Sequence, residues 1–237
     1  MSEEGKEESK YTLIDEEGKV QTRSRGYTGN ATATYENGEV FQGFFNDGIR
    51  DGHGIYRYKS GNRYEGNWSA NARCGIGKMS YNNIGEYQGY WENNRRHGEG
   101  VFTYKNGDIY SGWWKYGEKS GFGTYVFKET GMKMSGEWKN GQLSQGKWIY
   151  PNGLYFMGFF KNNKPSGHGT WTFKNGNTQS GTFEQKPRVK GEDEPPSEEE
   201  LDAEGNPIEK KPKYDLVWNT SMGIKDSAHR VNSVELE

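Results

Sequence analysis

The stretch RHGEGVFTYKNGDIYSGWW, residues 96–114, decides the fold of this chain. In its last part Tyr110, Gly112 and Trp114 alternate with small or polar residues, so they share one face of an extended segment. The VFTYKNG segment before it alternates in the same way, and it ends on an Asn-Gly dipeptide, a strong short-range signal for a hairpin turn. The stretch therefore predicts two short antiparallel strands.

The same pattern recurs along most of the chain. An aromatic-x-Gly-x-aromatic element appears as FQGFF, YEGNW, YQGYW, YSGWW, MSGEW and FMGFF and fades to QSGTF, at spacings of 22–24 residues. Its central glycines, here called anchor glycines, are Gly43, Gly66, Gly89, Gly112, Gly136, Gly158 and Gly181. Such a repeat predicts an all-β fold, an elongated single-layer antiparallel sheet of tandem 23-residue β-hairpins.

Two further glycine signals accompany the repeat. A pair of glycines follows most anchor glycines, as Gly52 and Gly54, Gly75 and Gly77, Gly98 and Gly100, Gly121 and Gly123, and Gly167 and Gly169. These pairs are predicted to be turns, because glycine tolerates positive φ. Asn-Gly dipeptides at 37–38, 106–107, 152–153 and 175–176 are predicted to reverse the chain between strands.

The composition requires an unusual core. Hydrophobic residues make up 30% of the chain and aromatic residues alone 15%, so aliphatic side chains are scarce. The anchor glycine is expected to leave room for flanking rings, which stack into a ladder that replaces the core. The predicted structural rings are Tyr64, Tyr87, Tyr110, Trp68, Trp91, Trp114 and Trp138.

Charge and composition divide the chain into three parts. Residues 1–28 form an acidic N-terminal tail, residues 29–185 a domain of about six full repeats with a partial unit at each end, and residues 186–237 an acidic, proline-containing linker and tail. Residues 41–185 carry a diffuse net charge of +7, which is a poor nucleic-acid footprint. Within the tail, Tyr214, Leu216 and Trp218 alternate, so this segment adds to a sheet edge, docks on a partner or stays weakly ordered.

No catalytic or metal-binding pattern emerges. The glycine pairs have neither the third glycine nor the following helix of a dinucleotide site. His53, His97 and His168 belong to different repeats and are expected to lie too far apart for one metal site, and Cys74 has no histidine at a motif spacing. The flanks are too short for a catalytic domain of the kinds that accompany such repeats. The sequence predicts a protein that is not an enzyme and uses no cofactor and no metal.

The alternating YxGxW and HGxG elements closely resemble the MORN repeat (membrane occupation and recognition nexus) over about residues 29–185. An insertion near 129–131, a deletion before Gly146 and a proline at 165 are similar to the MORN-repeat proteins of the ciliary radial spoke head. That resemblance implies a scaffold subunit of the axoneme in motile cilia or flagella, within the cytoskeleton of the cytoplasm. It would bind other radial spoke head proteins and help regulate motility.

The resemblance also leaves alternatives open. Exposed sheet edges admit a homodimer or pairing with another MORN protein. Peripheral binding to anionic phospholipid in a membrane, or another cytoskeletal scaffold role, is the alternative function, although no dense cluster of Lys and Arg supports lipid binding. A nucleic-acid partner is not expected.

One position marks a candidate partner surface. The residue immediately after each anchor glycine points away from the ring ladder, and it is polar at Asn67, Glu137 and Thr182. Four repeats instead place Phe44, Tyr90, Trp113 and Phe159 there. We expect these four, together with Tyr214 and Trp218, to mark a surface for a partner or for self-association. The alternative is that long neighbouring side chains cover the four rings.

Overall fold

The computed structural model describes residues 11–187 and 214–221, which form one antiparallel sheet of seventeen strands. The strands are β1 (Thr12–Asp15), β2 (Val20–Gln21), β3 (Gly29–Thr34), β4 (Val40–Asn46), β5 (Ile49–Arg57), β6 (Arg63–Ser69), β7 (Ala72–Tyr81), β8 (Gly85–Glu92), β9 (Arg95–Tyr104), β10 (Ile109–Lys115), β11 (Glu118–Val126), β12 (Lys133–Lys139), β13 (Gln142–Ile149), β14 (Tyr155–Lys161), β15 (Lys164–Thr172), β16 (Thr178–Pro187) and β17 (Tyr214–Thr220). The described residues contain no helix, so the predicted all-β hairpin architecture is confirmed.

The sheet follows chain order almost throughout. From β3 to β17 each strand pairs with the next, and β1 lies between β2 and β3. The sheet extends past both limits predicted for the repeat domain, because β1 and β2 precede residue 29 and β17 follows residue 185. Most of the predicted acidic linker and tail lies outside the described residues.

Two kinds of turn connect the strands. The Asn-Gly dipeptides reverse the chain between repeats as predicted, and at 106–107 the Gly107 amide donates to the Tyr104 carbonyl at 2.9 Å. Only the glycine of this dipeptide has positive φ. The two-residue turns with positive φ at both positions, which is the type I′ geometry, lie within the repeats at 47–48, 70–71, 93–94, 116–117, 140–141 and 162–163.

The prediction that the glycine pairs form turns is wrong. Gly98 and Gly100 lie inside β9, and the equivalent pairs lie inside β5, β7, β11 and β15. Gly98 has φ of 58° at a bulge where three residues of β9 face the single residue Tyr90 of β8. The first glycine of the pair therefore bends a strand, while the second, Gly100, pairs directly with the anchor glycine Gly89.

The anchor glycines leave space for rings, as the sequence predicted. A Cβ added at Gly89 would lie 2.5 Å from the Gly100 Cα and 2.6 Å from the Tyr87 hydroxyl oxygen, which is closer than real Cβ contacts. The Tyr87 ring therefore lies across two glycines, and its hydroxyl donates to the Tyr90 carbonyl at 2.9 Å. Equivalent hydrogen bonds run from Tyr64 to the Asn67 carbonyl and from Tyr110 to the Trp113 carbonyl.

The rings form a continuous ladder on one side of the sheet, here called the aromatic face. Tyr87 packs edge-on against Trp91 at 5.3 Å and against Trp114 of the following repeat at 5.2 Å between ring centroids. The Trp91 indole also donates to the carbonyl of Gly77 in the preceding repeat at 3.2 Å. Each repeat therefore buries its rings only against its neighbours, which is the organisation of a solenoid.

A column of cations, which the sequence interpretation missed, lies over this ladder. Arg73 stacks on Trp91 at 4.7 Å, and its guanidinium donates to the Asn94 carbonyl at 2.9 Å. Cations occupy the same register position in four repeats, as Arg50, Arg73, Arg96 and Lys119. The next two repeats have Leu143 and Pro165 there, both buried. We call these six positions the cover column.

Candidate partner-binding face

The side of the sheet opposite the aromatic face, here called the outer face, exposes a row of large side chains. Ile76 of β7 lies directly opposite Tyr90 of β8, and Glu99 of β9 lies directly opposite Trp113 of β10. Phe122 continues the row on β11. These residues point outward because side chains alternate along each strand and the glycine next to each of them faces the other way.

The row forms one wall of an open groove of about 740 Å³. Gln88, Val101 and Ser111 form the opposite wall, and Gly89, Gly100 and Gly112 line the groove between the walls. Because these three positions direct their Cα substituents toward the aromatic face, a partner on the outer face would meet backbone at the floor. The volume falls within the range of about 300–1,000 Å³ that is common for ligand sites.

The groove wall is apolar and exposed. Tyr90 and Trp113 each keep 50% of their surface accessible, Ile76 57% and Phe122 74%. Neighbouring long side chains therefore leave at least half of each of these surfaces in solvent. Large apolar side chains that are this exposed and lie close together are typical of an interaction surface.

The structure brings together only some of the six residues that the sequence analysis singled out. Tyr90 and Trp113 line the groove, whereas Phe44 on β4 and Phe159 on β14 share the outer face but lie outside it. Ile76 and Phe122 were missed because they sit inside Gly-x-Gly pairs, which were interpreted as turns. The sequence signal that could have identified them is a large apolar residue between two glycines within a strand.

The two tail residues lie elsewhere. Tyr214 and Trp218 belong to β17, which pairs with β16 and so adds to the sheet edge. The Trp218 ring packs against Phe183 at 4.8 Å on the aromatic face. Because this contact lies within the chain, the structure gives Trp218 a structural role, and a partner role for the two residues stays a prediction.

Glu99 is the charged residue of the groove. It is exposed and faces Trp113 across the strand pair, and within the described residues its carboxylate has no hydrogen-bond or ion-pair partner. Two carboxylates elsewhere on the outer face are paired: Glu86 binds Lys78 at 2.8 Å and Glu137 binds Lys139 at 3.2 Å. No lysine or arginine lines the groove, so its charge is negative.

The other polar residues that the sequence analysis examined stay apart. His53, His97 and His168 lie on β5, β9 and β15. Across residues 11–187 and 214–221, no group of three or more His, Cys, Asp or Glu side chains is placed to hold a metal ion. Burial, and then the Asp51 carboxylate, raise the pKa of the half-buried Cys74 thiol. No helix in the described part of the chain is long and apolar enough to cross a membrane.

Comparisons with known proteins agree with the repeat. The family model described as "MORN repeat" matches six segments, residues 41–63, 64–83, 87–109, 110–131, 135–155 and 156–178, which together make up more than half of the chain. No curated protein matches. Among solved structures, the chain is similar to the TCP domain of SAS-4 (dCPAP) from Drosophila melanogaster in complex with a proline-rich motif of Ana2 (dSTIL). That similarity has 14% identity over 64% of this chain and 83% of the other, with a TM-score of 0.25, which is too low to carry an argument.

The six matched segments coincide with the hairpins of the sheet, and the anchor glycines, the ring ladder and the cover column repeat with them. The chain belongs to the MORN-repeat family.

Proposed function

We propose that this chain is a non-catalytic scaffold subunit of the radial spoke head in motile cilia or flagella, where the outer-face groove binds other spoke-head proteins. MORN repeats support the coarser role of a repeat scaffold or a module that binds proteins or membranes. The observation that carries the protein-binding part is the groove, which exposes Tyr90, Trp113 and Phe122 on a continuous sheet.

The radial spoke assignment rests on the region of irregular repeats. Around the insertion the Phe127 amide donates to the Met132 carbonyl and the Gly131 amide donates to the Phe127 carbonyl, both at 2.9 Å. At the deletion, the bulge of β13 has one extra residue, Ser144, where β9 has two. This turn and this shorter bulge are the structures formed at the insertion and at the deletion, the two irregularities that resemble the spoke-head MORN proteins.

The mechanism proposed is mechanical. Seventeen hydrogen-bonded strands with aromatic contacts between successive repeats make a stiff, elongated body. A stiff body with a groove partway along it holds a partner at a fixed place and passes load to it without a chemical step. Localisation at the axoneme follows from this proposal.

The test begins with the tagged protein in ciliated cells. We expect it along axonemes and in co-purification with spoke components. Simultaneous replacement of Tyr90, Trp113 and Phe122 by alanine should abolish the co-purification while circular dichroism and urea unfolding stay unchanged. The matched control is Ile84→Ala with Met157→Ala, because these exposed apolar residues lie outside the groove. Diffuse cytoplasmic or plasma-membrane signal would refute the spoke assignment.

Peripheral binding to anionic lipid is the second candidate, favoured by the net charge of +7 over residues 41–185. The groove does not favour it, since its charged residue is Glu99. Co-sedimentation with phosphatidylserine vesicles at rising salt separates the two, because lipid binding through diffuse charge weakens with salt.

A further inference from the structure

The outer-face groove combines aromatic rings with one unpaired carboxylate. Trp113 lies directly opposite Glu99 on the neighbouring strand, and Tyr90 lies on the strand on the other side of Glu99. All three are exposed and line the same groove. The faces of aromatic rings attract cations, and a carboxylate without a counter-ion does so as well. The groove is therefore suited to bind a positively charged group.

The same chain shows the completed arrangement on its aromatic face. The Arg96 guanidinium lies 4.4 Å from the Trp114 ring centroid, and Arg73 and Lys119 lie 4.7 and 4.8 Å from Trp91 and Trp138. Trp113, the neighbour of Trp114 in sequence, points to the other face and has no cation over its ring within the described residues.

Control positions on the outer face have a partner in the chain itself. Glu137 lies directly opposite the exposed ring of Phe122, and its carboxylate is held by Lys139 at 3.2 Å. Glu65 also lies on the outer face, and its carboxylate forms an ion pair with Arg63 at 2.7 Å. Glu65 and Glu137 thus have cationic partners within the chain, whereas Glu99, the carboxylate that lines the groove, has none within the described residues.

From this charge complementarity we infer that the groove binds a protein segment carrying an arginine or lysine flanked by apolar residues. The cation inserts between Tyr90 and Trp113 with Glu99 as its counter-ion, while Ile76 and Phe122 take the apolar flanks. The bare backbone of the glycine floor lets the segment approach closely. This inference rests on the proposed protein-binding function and names the chemistry of the partner.

The test uses the full chain and labelled nonapeptide probes with the sequence Gly-Ser-Leu-Leu-X-Leu-Leu-Ser-Gly, where X is arginine, citrulline or glutamate. Citrulline keeps the shape of arginine and removes its charge. Fluorescence anisotropy should show about tenfold tighter binding of the arginine peptide than of the citrulline peptide, as expected for a charge-assisted contact over aromatic rings.

Variants of the carboxylate locate the effect. In Glu99→Gln the preference for arginine should fall to about twofold or less, and in Glu99→Lys the glutamate peptide should become the tightest ligand. Glu137→Gln is the matched control and should keep the tenfold preference, because that carboxylate is already paired. Equal binding of the arginine and citrulline peptides, no binding of either, or a preference that survives Glu99→Lys overturns the inference.

Other occupants give different results. Binding to phosphatidylcholine vesicles that depends on Glu99 would identify a quaternary ammonium headgroup as the ligand and overturn the protein partner. Self-association that is lost in Glu99→Lys would identify a second copy and also overturn it.

The inference and the proposed function fail separately. If spoke components still co-purify with Glu99→Lys but not with the Tyr90, Trp113 and Phe122 triple variant, the cationic occupant is wrong and the spoke function stands. If the arginine preference is observed but no spoke component co-purifies, the function is wrong and the inference stands.

Discussion

Two regions of the aromatic face solve the same packing problem with different chemistry. In the first four repeats the cover column holds Arg50, Arg73, Arg96 and Lys119, and in the next two it holds Leu143 and Pro165. Leu143 faces Trp138 and is almost fully buried. Arg96 faces Trp91, is half buried, and donates to the Gly117 carbonyl at 2.6 Å.

The comparison shows that each position of the cover column requires a side chain that covers the rings. This side chain can be either a cation or an apolar residue. An arginine does so with its aliphatic stem and planar head, while a backbone carbonyl of the next turn satisfies its donors. A leucine or proline covers the rings without any donor to satisfy. The cationic and the apolar residues can be tested separately, and the anchor glycines, which both regions share, can be tested in each.

The largest effect is expected where the two regions are alike. Gly89→Ala would place a Cβ 2.5 Å from the Gly100 Cα, and Gly158→Ala would place one 2.6 Å from the Phe156 ring. Because backbone or a buried ring must move in each case, we expect a loss of about 3 kcal/mol or more in both. Urea unfolding with tryptophan fluorescence measures it. If only one of the two substitutions is tolerated, the anchor glycines do not have the same role in the two regions.

The next effect separates the regions. Leu143→Ala removes a buried side chain and should lower the free energy of unfolding by about 2–3 kcal/mol. Arg73→Leu copies the apolar solution into the cationic region and should cost less than about 1 kcal/mol, because leucine still covers the rings and has no donor to satisfy. Hydrogen exchange of the amides around each site gives the local stability. A larger loss for Arg73→Leu than for Leu143→Ala would contradict the view that ring coverage decides.

Removal of a cation should have a smaller effect. Arg96→Ala loses the contact with Trp114 and the hydrogen bond to Gly117, so we expect a loss of about 1–2 kcal/mol. The loss should change little with added salt, because a half-buried contact is poorly screened. Glu118→Ala, an exposed change on the next strand, serves as the control. A stability equal to wild type would show that the column is dispensable.

The smallest effect is a pH dependence that distinguishes Lys119 from the arginines. Burial among the rings of Tyr104, Tyr110, Tyr125 and Trp138, and then the charge of Arg96, lower the pKa of Lys119 to about 8. An unfolded lysine has a pKa of about 10.4, so between about pH 8 and 10 the unfolded chain binds more protons than the folded chain. The contribution of Lys119 to the free energy of unfolding therefore rises with pH in that window.

Lys119→Met supplies the reference. The free energy of unfolding of wild type minus that of the variant should rise by about 1 kcal/mol between about pH 7.5 and 9.5, a value reduced for partial solvent screening. Tyr64, Tyr87 and Tyr110 have a pKa raised mainly by burial, so they act in the opposite direction only above about pH 10. If this difference in the free energy of unfolding does not change with pH in that range, Lys119 does not titrate with a lowered pKa.

Much of the fold could be predicted because the repeat multiplies each local signal. The alternation around Gly112 predicts one strand, and its return at 22–24 residues predicts the whole sheet. The type I′ turns at 70–71 and 116–117 could not be located from local preference, because Ala70 and Tyr116 occupy positive φ in them although such residues rarely do so. Tertiary pairing overrides local preference there.

The outer face was predicted in part for a similar reason. Tyr90 and Trp113 stood out because the repeat does not require them, whereas Ile76 and Phe122 were hidden by the glycines beside them. The cover column had a clear signal, a cation every 23 residues from Arg50 to Lys119, but its role depends on which face each strand position occupies beyond a bulge. Alternation alone does not predict that.

The position of β17 has a consequence for synthesis. Its Trp218 closes the last rung of the ladder against Phe183 and Phe156, and it lies well after β16 in sequence. The opposite end is closed by β1–β3, which are synthesised before the other strands of the sheet. Growing repeats can therefore dock one by one onto a finished end, while Phe156 and Phe183 lack their contacts with Trp218 until β17 has been synthesised. During translation, the C-terminal end of the ladder is therefore the last part to be closed, and its exposed rings are open to chaperones until then.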